Sequence, residues 1–312
     1  MIVLAEVARW FAERTWQTPA WDPAELAGLK RGRRVSVVLP ALNEQRAVAG
    51  VVSAVLPFTA PESGPLVDEV VVMDSGSDDD TVRVARQAGA RVVRRHEVLA
   101  DHPPRPGKGE VLWRSLAATS GDLLVFLDAD LREFDAGFVP ALLGPLLEQD
   151  LVLVKGFYER PADGDSGQGG GRVTEILARP LLAALRPQLS GIVQPLGGEY
   201  AARRDFLESV PFAPGYGVEI GLLLDAHSTA GLPAIGQVNL GVRRHRHRDL
   251  LELGVMSRQV LAAALSRCGG RSPDSDRYCQ FRQLAAGWFP DVTDVLLADR
   301  PPLRESIVEA SR

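Results

Sequence analysis

The sequence predicts an α/β fold, a mostly parallel sheet flanked by helices and followed by a second subdomain of different character. Three observations carry this. Strand-like and helix-like stretches alternate from Val35 onward, an order that builds parallel sheets with right-handed crossovers. The run Leu123-Leu124-Val125-Phe126-Leu127 is apolar without a break, as strands buried on both faces are. Three strands end in polar clusters: Pro40 with Asn43-Glu44, Asp74 with Ser75-Gly76-Ser77, and Asp128 with Asp130. Carboxyl ends of strands are where ligands bind in such sheets.

Residues 1–30 read as an amphipathic helix carrying Glu6 and Glu13, then a Pro-rich connector. Residues 31–150 hold the first subdomain. Its strands are Val35–Pro40, Asp68–Asp74, Arg91–Val93 and the apolar run at 123–127, with helices to about Leu56 and over Glu110–Thr119. Ser77 or Asp78 is the expected cap of the helix between the second and third strands. Residues 151–267 form the second subdomain, with strands at Val152–Lys155 and Gln237–Val242 and helices over Val173–Leu185 and Leu253–Arg267. Residues 268–312 are a polar tail whose expected role is packing or oligomer contact.

Composition narrows the function classes. A net charge of −5 gives no general attraction to nucleic acid or anionic membrane. No apolar stretch approaches the ~20 residues that span a bilayer, and the N-terminus does not read as a secretory signal. Cys268 and Cys279 lack a CxxC arrangement, so a cytoplasmic protein without a disulfide framework is expected. No GxGxxG follows the first strand and no GxxxxGK[ST] is present, which disfavours a dinucleotide site and excludes a P-loop.

The chemistry centres on Asp128-Ala129-Asp130. Strand alternation puts both carboxylates on one side and Ala129 opposite, where a hard divalent cation carrying a diphosphate would suit them. Helix capping is the plainer alternative for an isolated pair. Asp74, Asn43 and Glu44 are placed to accept hydrogen bonds from a base or ribose. Lys108, between Gly107 and Gly109 before a helix, is a candidate contact to phosphate or a sugar hydroxyl. Gly171-Arg172-Val173-Thr174 combines free amides, a helix start, a guanidinium and a hydroxyl, a recipe for anion binding. The loops Gln194–Tyr200 and Pro214–Glu219 pair glycines with an aromatic and a carboxylate, which suits a sugar. In Arg243-Arg244-His245-Arg246-His247-Arg248, a solvated basic face is the plain reading, but an imidazole folding back to Asp130 would complete a metal site.

Together these residues resemble the actinobacterial glucosyl-3-phosphoglycerate synthases and the related mannosyl-3-phosphoglycerate synthases. The likeness spans roughly Val35 to Arg267 and rests on VSVVLPALNE, VVMDSGSDDDT, RPGKGEVLWRSLAATSGD, GGGRVTE, QPLGGEYAARR, VPFAPGYGVEIGLL and QVNLGVRRHRHR. It implies a GT-A glycosyltransferase fold, a nucleotide-sugar subdomain followed by an acceptor-binding one. It implies retaining transfer of a hexose from an NDP-hexose donor (UDP-glucose, or GDP-mannose as the alternative) to 3-phosphoglycerate, with Mg²⁺ or Mn²⁺ and a homodimer. By position, Pro40, Leu42, Asn43, Glu44 and Ser75 resemble base and ribose contacts. Lys108, Asp128, Ala129, Asp130, Tyr216, Glu219 and Arg243 fall in the donor site, with Asp130, Glu219 and Lys108 in catalytic places. Asp130 and His245 resemble the metal ligands, and Gly171, Arg172, Thr174 and His247 the acceptor site. Ala129 departs from the usual Asp-Ser-Asp, and His247 stands where Asn is common. A processive polysaccharide synthase would need a QxxRW motif and membrane helices. A nucleotidyltransferase would need a Gly-rich basic signature after the first strand. A nucleotide-sugar sensor without transfer is the non-enzyme alternative.

Overall fold

The structure is a computed structural model and describes residues 4–60, 64–131, 134–159, 171–243, 249–270 and 275–310. The first half runs α1 (Ala5–Arg14), β1 (Thr15–Trp16), α2 (Pro23–Leu29), β2 (Val35–Ala41), α3 (Val48–Val55), β3 (Glu69–Asp74), α4 (Thr81–Gln87), β4 (Arg91–Arg94), α5 (Lys108–Ala118), β5 (Leu123–Phe126) and α6 (Phe138–Glu148). The second runs β6 (Leu153–Glu159), α7 (Arg179–Leu185), β7 (Tyr200–Arg203), α8 (Arg204–Ser209), α9 (Val218–Ala230), β8 (Ile235–Val242), α10 (Leu250–Arg267), β9 (Arg277–Leu284), β10 (Gly287–Asp294) and α11 (Leu303–Ala310).

One eight-stranded sheet, ordered β1-β8-β6-β7-β5-β2-β3-β4, runs through both halves. β5 is wholly buried and divides its side chains between two cores. Leu124 and Phe126 join Val38, Trp113 and Tyr200 on one face, and Leu123 and Val125 join Val37, Leu39 and Val52 on the other. Burying each such side chain contributes about 1.5–3 kcal/mol. This two-sided burial is why the run carries no polar residue until the chain leaves the sheet.

Several elements differ from expectation. Tyr200–Arg203, of which only Tyr200 was read, as the end of a loop, is a strand lying antiparallel between β5 and β6. Its alanines are fully buried, Ala201 in the core that holds α6 and Ala202 in the core that holds α5. The connector holds α2, started by Asp22, whose Oδ1 accepts from Ala24 N at 2.8 Å and Glu25 N at 3.1 Å. The loop ahead of α4 is held by Asp79, not Ser77 or Asp78: its Oδ1 accepts from Thr81 N at 2.9 Å. The tail folds as an antiparallel hairpin, β9 with β10. A strap after it returns to α5, where Arg300 pairs with Glu110 at 2.6 Å and Trp113 Nε1 donates to Pro301 O at 2.9 Å.

Candidate active site

The carboxyl ends of β2, β3 and β5 open into a cavity of about 350 Å³, within the range of small-molecule sites. Pro40, Leu42, Glu44, Ser75, Lys108, Asp128, Ala129, Asp130 and Tyr216 line it, with Val255 and Gln259 from α10 closing the far side. Leu42 is an exposed apolar side chain at this wall, suited to the face of a base. The loop after β2 is fixed to the loop after β3: Asn43 N donates to Ser77 Oγ at 2.9 Å, and Asn43 Oδ1 accepts from Asp78 N at 3.0 Å. Asn43 adopts φ 59°, a left-handed conformation that Asn tolerates better than most residues. It is therefore a brace of the wall and not one of its lining residues. Asp74, expected to face a base or ribose, is buried, and its two oxygens accept from Gly76 N and Ser77 N, each at 3.1 Å. That expectation is corrected: Asp74 shapes the turn that presents Ser75.

Behind the cavity lies a network of buried charge. Lys108, the first residue of α5, places Nζ 2.5 Å from Asp128 Oδ1 and 2.8 Å from Glu219 Oε1. Arg243, at the end of β8, places Nη2 3.1 Å from both Asp128 Oδ2 and Asp130 Oδ1. Its Nη1 lies 2.7 Å from Glu199 Oε1 and donates to Tyr158 Oη at 2.6 Å. Buried charges persist only when paired in this way. Burial would raise the Asp128 carboxyl, but the Lys108 ammonium and the Arg243 guanidinium override it and hold the group well below the usual carboxylate range. Burial works against charge on Lys108 as well, and Asp128 and Glu219 reverse it, keeping the amine firmly protonated. Glu199 is raised, chiefly by its complete burial.

Gly198 makes this close packing possible. A Cβ there would stand 2.6 Å from both oxygens of Asp128 and from Lys108 Nζ. The turn bearing Gly198 is in turn held by Lys155, a buried lysine on β6 whose Nζ donates to Gly197 O at 2.5 Å. Gly198 belongs to the Gln194–Tyr200 loop expected to suit a sugar, whereas Lys155, Gln259 and Tyr158 were not picked out from sequence. Lys155 alone had a signal, a charge within the apolar strand run Leu151–Phe157.

Asp128 and Asp130 meet at one guanidinium nitrogen, although β5 ends at Phe126 and the pair sits in the turn beyond it. Both supply hard oxygen donors, which fits Mg²⁺ or Mn²⁺. Asp128 is taken up by Lys108 and Arg243, so Asp130, the more exposed of the two, is the carboxylate with coordination to give. Among the described residues no cluster of three or more His, Cys, Asp or Glu forms a metal site. His245 and His247 lie outside the described residues. Glu219 and Arg243 stand behind the cavity wall through their ion pairs, not on its lining. Of the residues expected at the acceptor, Gly171 takes φ 101° and its carbonyl accepts from Glu175 N at 2.9 Å. Arg172 is exposed at the helix start, while Thr174 is buried. Neither lines the cavity.

A mostly parallel sheet with a small-molecule cavity and a carboxylate pair beyond the carboxyl ends of its strands is the arrangement of a GT-A glycosyltransferase. Residues 36–208 match Glycosyl transferase family 2. The chain is 56% identical over 299 residues to the glucosyl-3-phosphoglycerate synthase of Mycolicibacterium smegmatis, covering 95% of this chain and 97% of that one. The crystal structure of the Mycobacterium tuberculosis glucosyl-3-phosphoglycerate synthase with Mn²⁺, UDP and phosphoglyceric acid is similar at a TM-score of 0.86 and 53% identity, covering 94% and 98% of the two chains. The same enzyme with Mn²⁺ and UDP-glucose also superposes at 0.86, with 53% identity and the same coverage. The chain belongs to the glucosyl-3-phosphoglycerate synthase family of glycosyltransferases.

Proposed function

We propose that this chain transfers glucose from UDP-glucose to the free hydroxyl of 3-phosphoglycerate, with retention at the anomeric carbon. The observation that carries the reading is the joining of the lined cavity to the Asp128–Lys108–Arg243 network at one strand end. The base lies against Leu42, Glu44 and Ser75, and the diphosphate reaches Lys108 and Asp130. Asp130, beside Asp128, holds a divalent cation with His245 as the proposed further ligand. That ion supplies Lewis-acid neutralisation of the departing diphosphate. Arg172, with Gly171, Thr174 and His247, receives the phosphate and carboxylate of the acceptor.

Glu219 and Glu199 are each held by a cation, Lys108 at 2.8 Å and Arg243 at 2.7 Å. A carboxylate so held is a poor nucleophile, which favours attack on the same face as departure. In that step the bond from the anomeric carbon to the diphosphate oxygen breaks, the acceptor oxygen bonds to the carbon, and its proton passes to the leaving diphosphate.

A cytoplasmic homodimer is the setting we propose. Cys268 and Cys279 are both free thiols, which suits a reducing compartment. Cys279, Phe281, Trp288 and Val292 lie on one face of the β9–β10 hairpin, with Phe281, Trp288 and Val292 exposed. A second copy would cover this apolar face. Trp288→Glu should convert dimer to monomer in sedimentation velocity; an unchanged dimer would move the interface elsewhere.

The test of function is product formation from 3-phosphoglycerate and Mn²⁺, with UDP-glucose and GDP-mannose offered separately. Glucosylated product of retained configuration by NMR supports the reading. Preferred transfer from GDP-mannose would make the chain a mannosyltransferase. Binding of nucleotide sugar without transfer would make it a sensor.

A further inference from the structure

Lys155 is an unusual residue for its place. It lies on β6, fully buried, with its register partner Tyr200 on β7. Its ammonium is 4.9 Å from the centre of the Tyr200 ring, and the Tyr200 hydroxyl has no hydrogen-bond partner among the described residues. Desolvating an ammonium is costly, and a methionine of similar length would pack there without that cost. What the ammonium gains is the carbonyl of Gly197. Gly156 N, one residue along β6, donates to Glu199 O at 2.8 Å. Two adjacent residues of β6 thus grip the Gly197–Glu199 turn at both ends.

Two contacts with the donor site leave that turn. Gly198 packs so closely on Asp128 and Lys108 that a Cβ would stand 2.6 Å from each. Glu199 pairs with Arg243, the residue that also meets Asp130.

We propose that Lys155 is a positioning residue for glucosyl transfer: its ammonium fixes the Gly197–Glu199 turn, and through it the places of Asp128, Lys108 and Arg243. This rests on the glycosyltransferase reading of the site and adds a residue that touches neither donor nor acceptor. The groups acting on its charge are Glu219 on α9, Lys108 on α5, Glu199 just before β7, Tyr200 on β7, and Asp128 after β5. Burial, the largest influence, lowers the amine to about 8. The protonated, turn-holding form therefore declines as pH rises through that value.

The experiment compares wild type with Lys155→Met in three readouts: thermal unfolding, the pH profile of kcat with UDP-glucose and 3-phosphoglycerate, and calorimetric binding of UDP with Mn²⁺. Positioning predicts a folded variant whose Tm falls by no more than the loss of the Gly197 hydrogen bond accounts for, since removal of a buried cation offsets part of it. It predicts kcat lowered by about 10- to 100-fold, the scale of a small misplacement. It also predicts loss of the alkaline limb near pH 8 and UDP–Mn²⁺ binding weakened by about 5-fold or more. Wild-type kcat with an unchanged alkaline limb would overturn the proposal. So would a loss of activity that merely follows a fall in Tm. If wild type fails to glucosylate 3-phosphoglycerate, the proposed function falls, and the binding comparison still judges Lys155: weakened binding supports its role and equal binding overturns it.

Discussion

One nitrogen of Arg243, Nη2, stands 3.1 Å from Asp128 and 3.1 Å from Asp130. The guanidinium clamps the two carboxylates while their surroundings give them different duties. Asp128 is also bound to Lys108 and belongs to the buried network; Asp130 is partly exposed and faces the cavity.

Substitutions at the two positions should therefore separate. Asp130→Ala is expected to lower kcat on the order of 10³-fold with little change in Tm, since an exposed partner contributes little to folding. Asp128→Ala leaves Lys108 and Arg243 short of a buried counter-charge and should cost about 3 kcal/mol in addition to activity. Calorimetric Tm measured alongside kcat distinguishes them; equal Tm losses would mean that Asp130 is structural too.

Gly198→Ala forces a methyl against Asp128 and Lys108. The Asp128 and Lys108 side chains or the turn must shift, and activity should fall by about 10²-fold. Steady-state kinetics with UDP-glucose check this, and near-wild-type turnover would show that the turn has slack.

The C-terminal strap is tied down by a buried pair. Arg300 Nε lies 2.6 Å from Glu110 Oε2, and Nη2 donates to Glu110 Oε1 at 2.9 Å. Arg300→Met removes the cation and leaves Glu110, among the described residues, with Arg114 as its remaining ion-pair partner, so a loss of about 3 kcal/mol is expected in urea unfolding.

Acid stability has a source at Glu69. Burial would raise this carboxyl, but hydrogen bonds from Ser120, Ser36 and Arg91 outweigh it, lowering the group from 4.5 to about 2. A depressed carboxylate contributes stability above its unfolded value and loses it as pH falls through the folded one. The contribution should thus disappear between about pH 4.5 and 2. Glu69→Gln should be less stable at neutral pH and flatter across that window in pH-dependent unfolding.

The sequence shows the parts of the site where local pattern and chemistry coincide. Asp128 and Asp130 stand out because two charges end an apolar run, and Lys108 because glycines flank it ahead of a helix. The helix start at Asp22-Pro23, read only as a connector, carries local signals that could have found it, an Asp cap and Pro at the first helical position. Tyr200–Arg203 carries no such signal: its four residues take meaning only from strands distant in the chain on either side. The β9–β10 hairpin turns through Ala285-Ala286, without the Asn-Gly or Asp-Gly that marks a tight turn. For Lys155 the pattern indicates burial but not the carbonyl it meets. Asn43 and Asp74 carry the right chemistry for a nucleotide, yet spend it on loops, a choice set by backbone geometry that composition does not record.

The most direct measurement follows glucosyl-phosphoglycerate formation from UDP-glucose and 3-phosphoglycerate by wild type and Asp130→Ala, each with Mn²⁺ and with EDTA. The expected result is product from wild type with Mn²⁺ only, and a near-total loss in Asp130→Ala while it remains folded. Equal turnover by both proteins, or wild-type turnover undiminished in EDTA, would contradict the assignment of the Asp128–Asp130 turn as the catalytic centre.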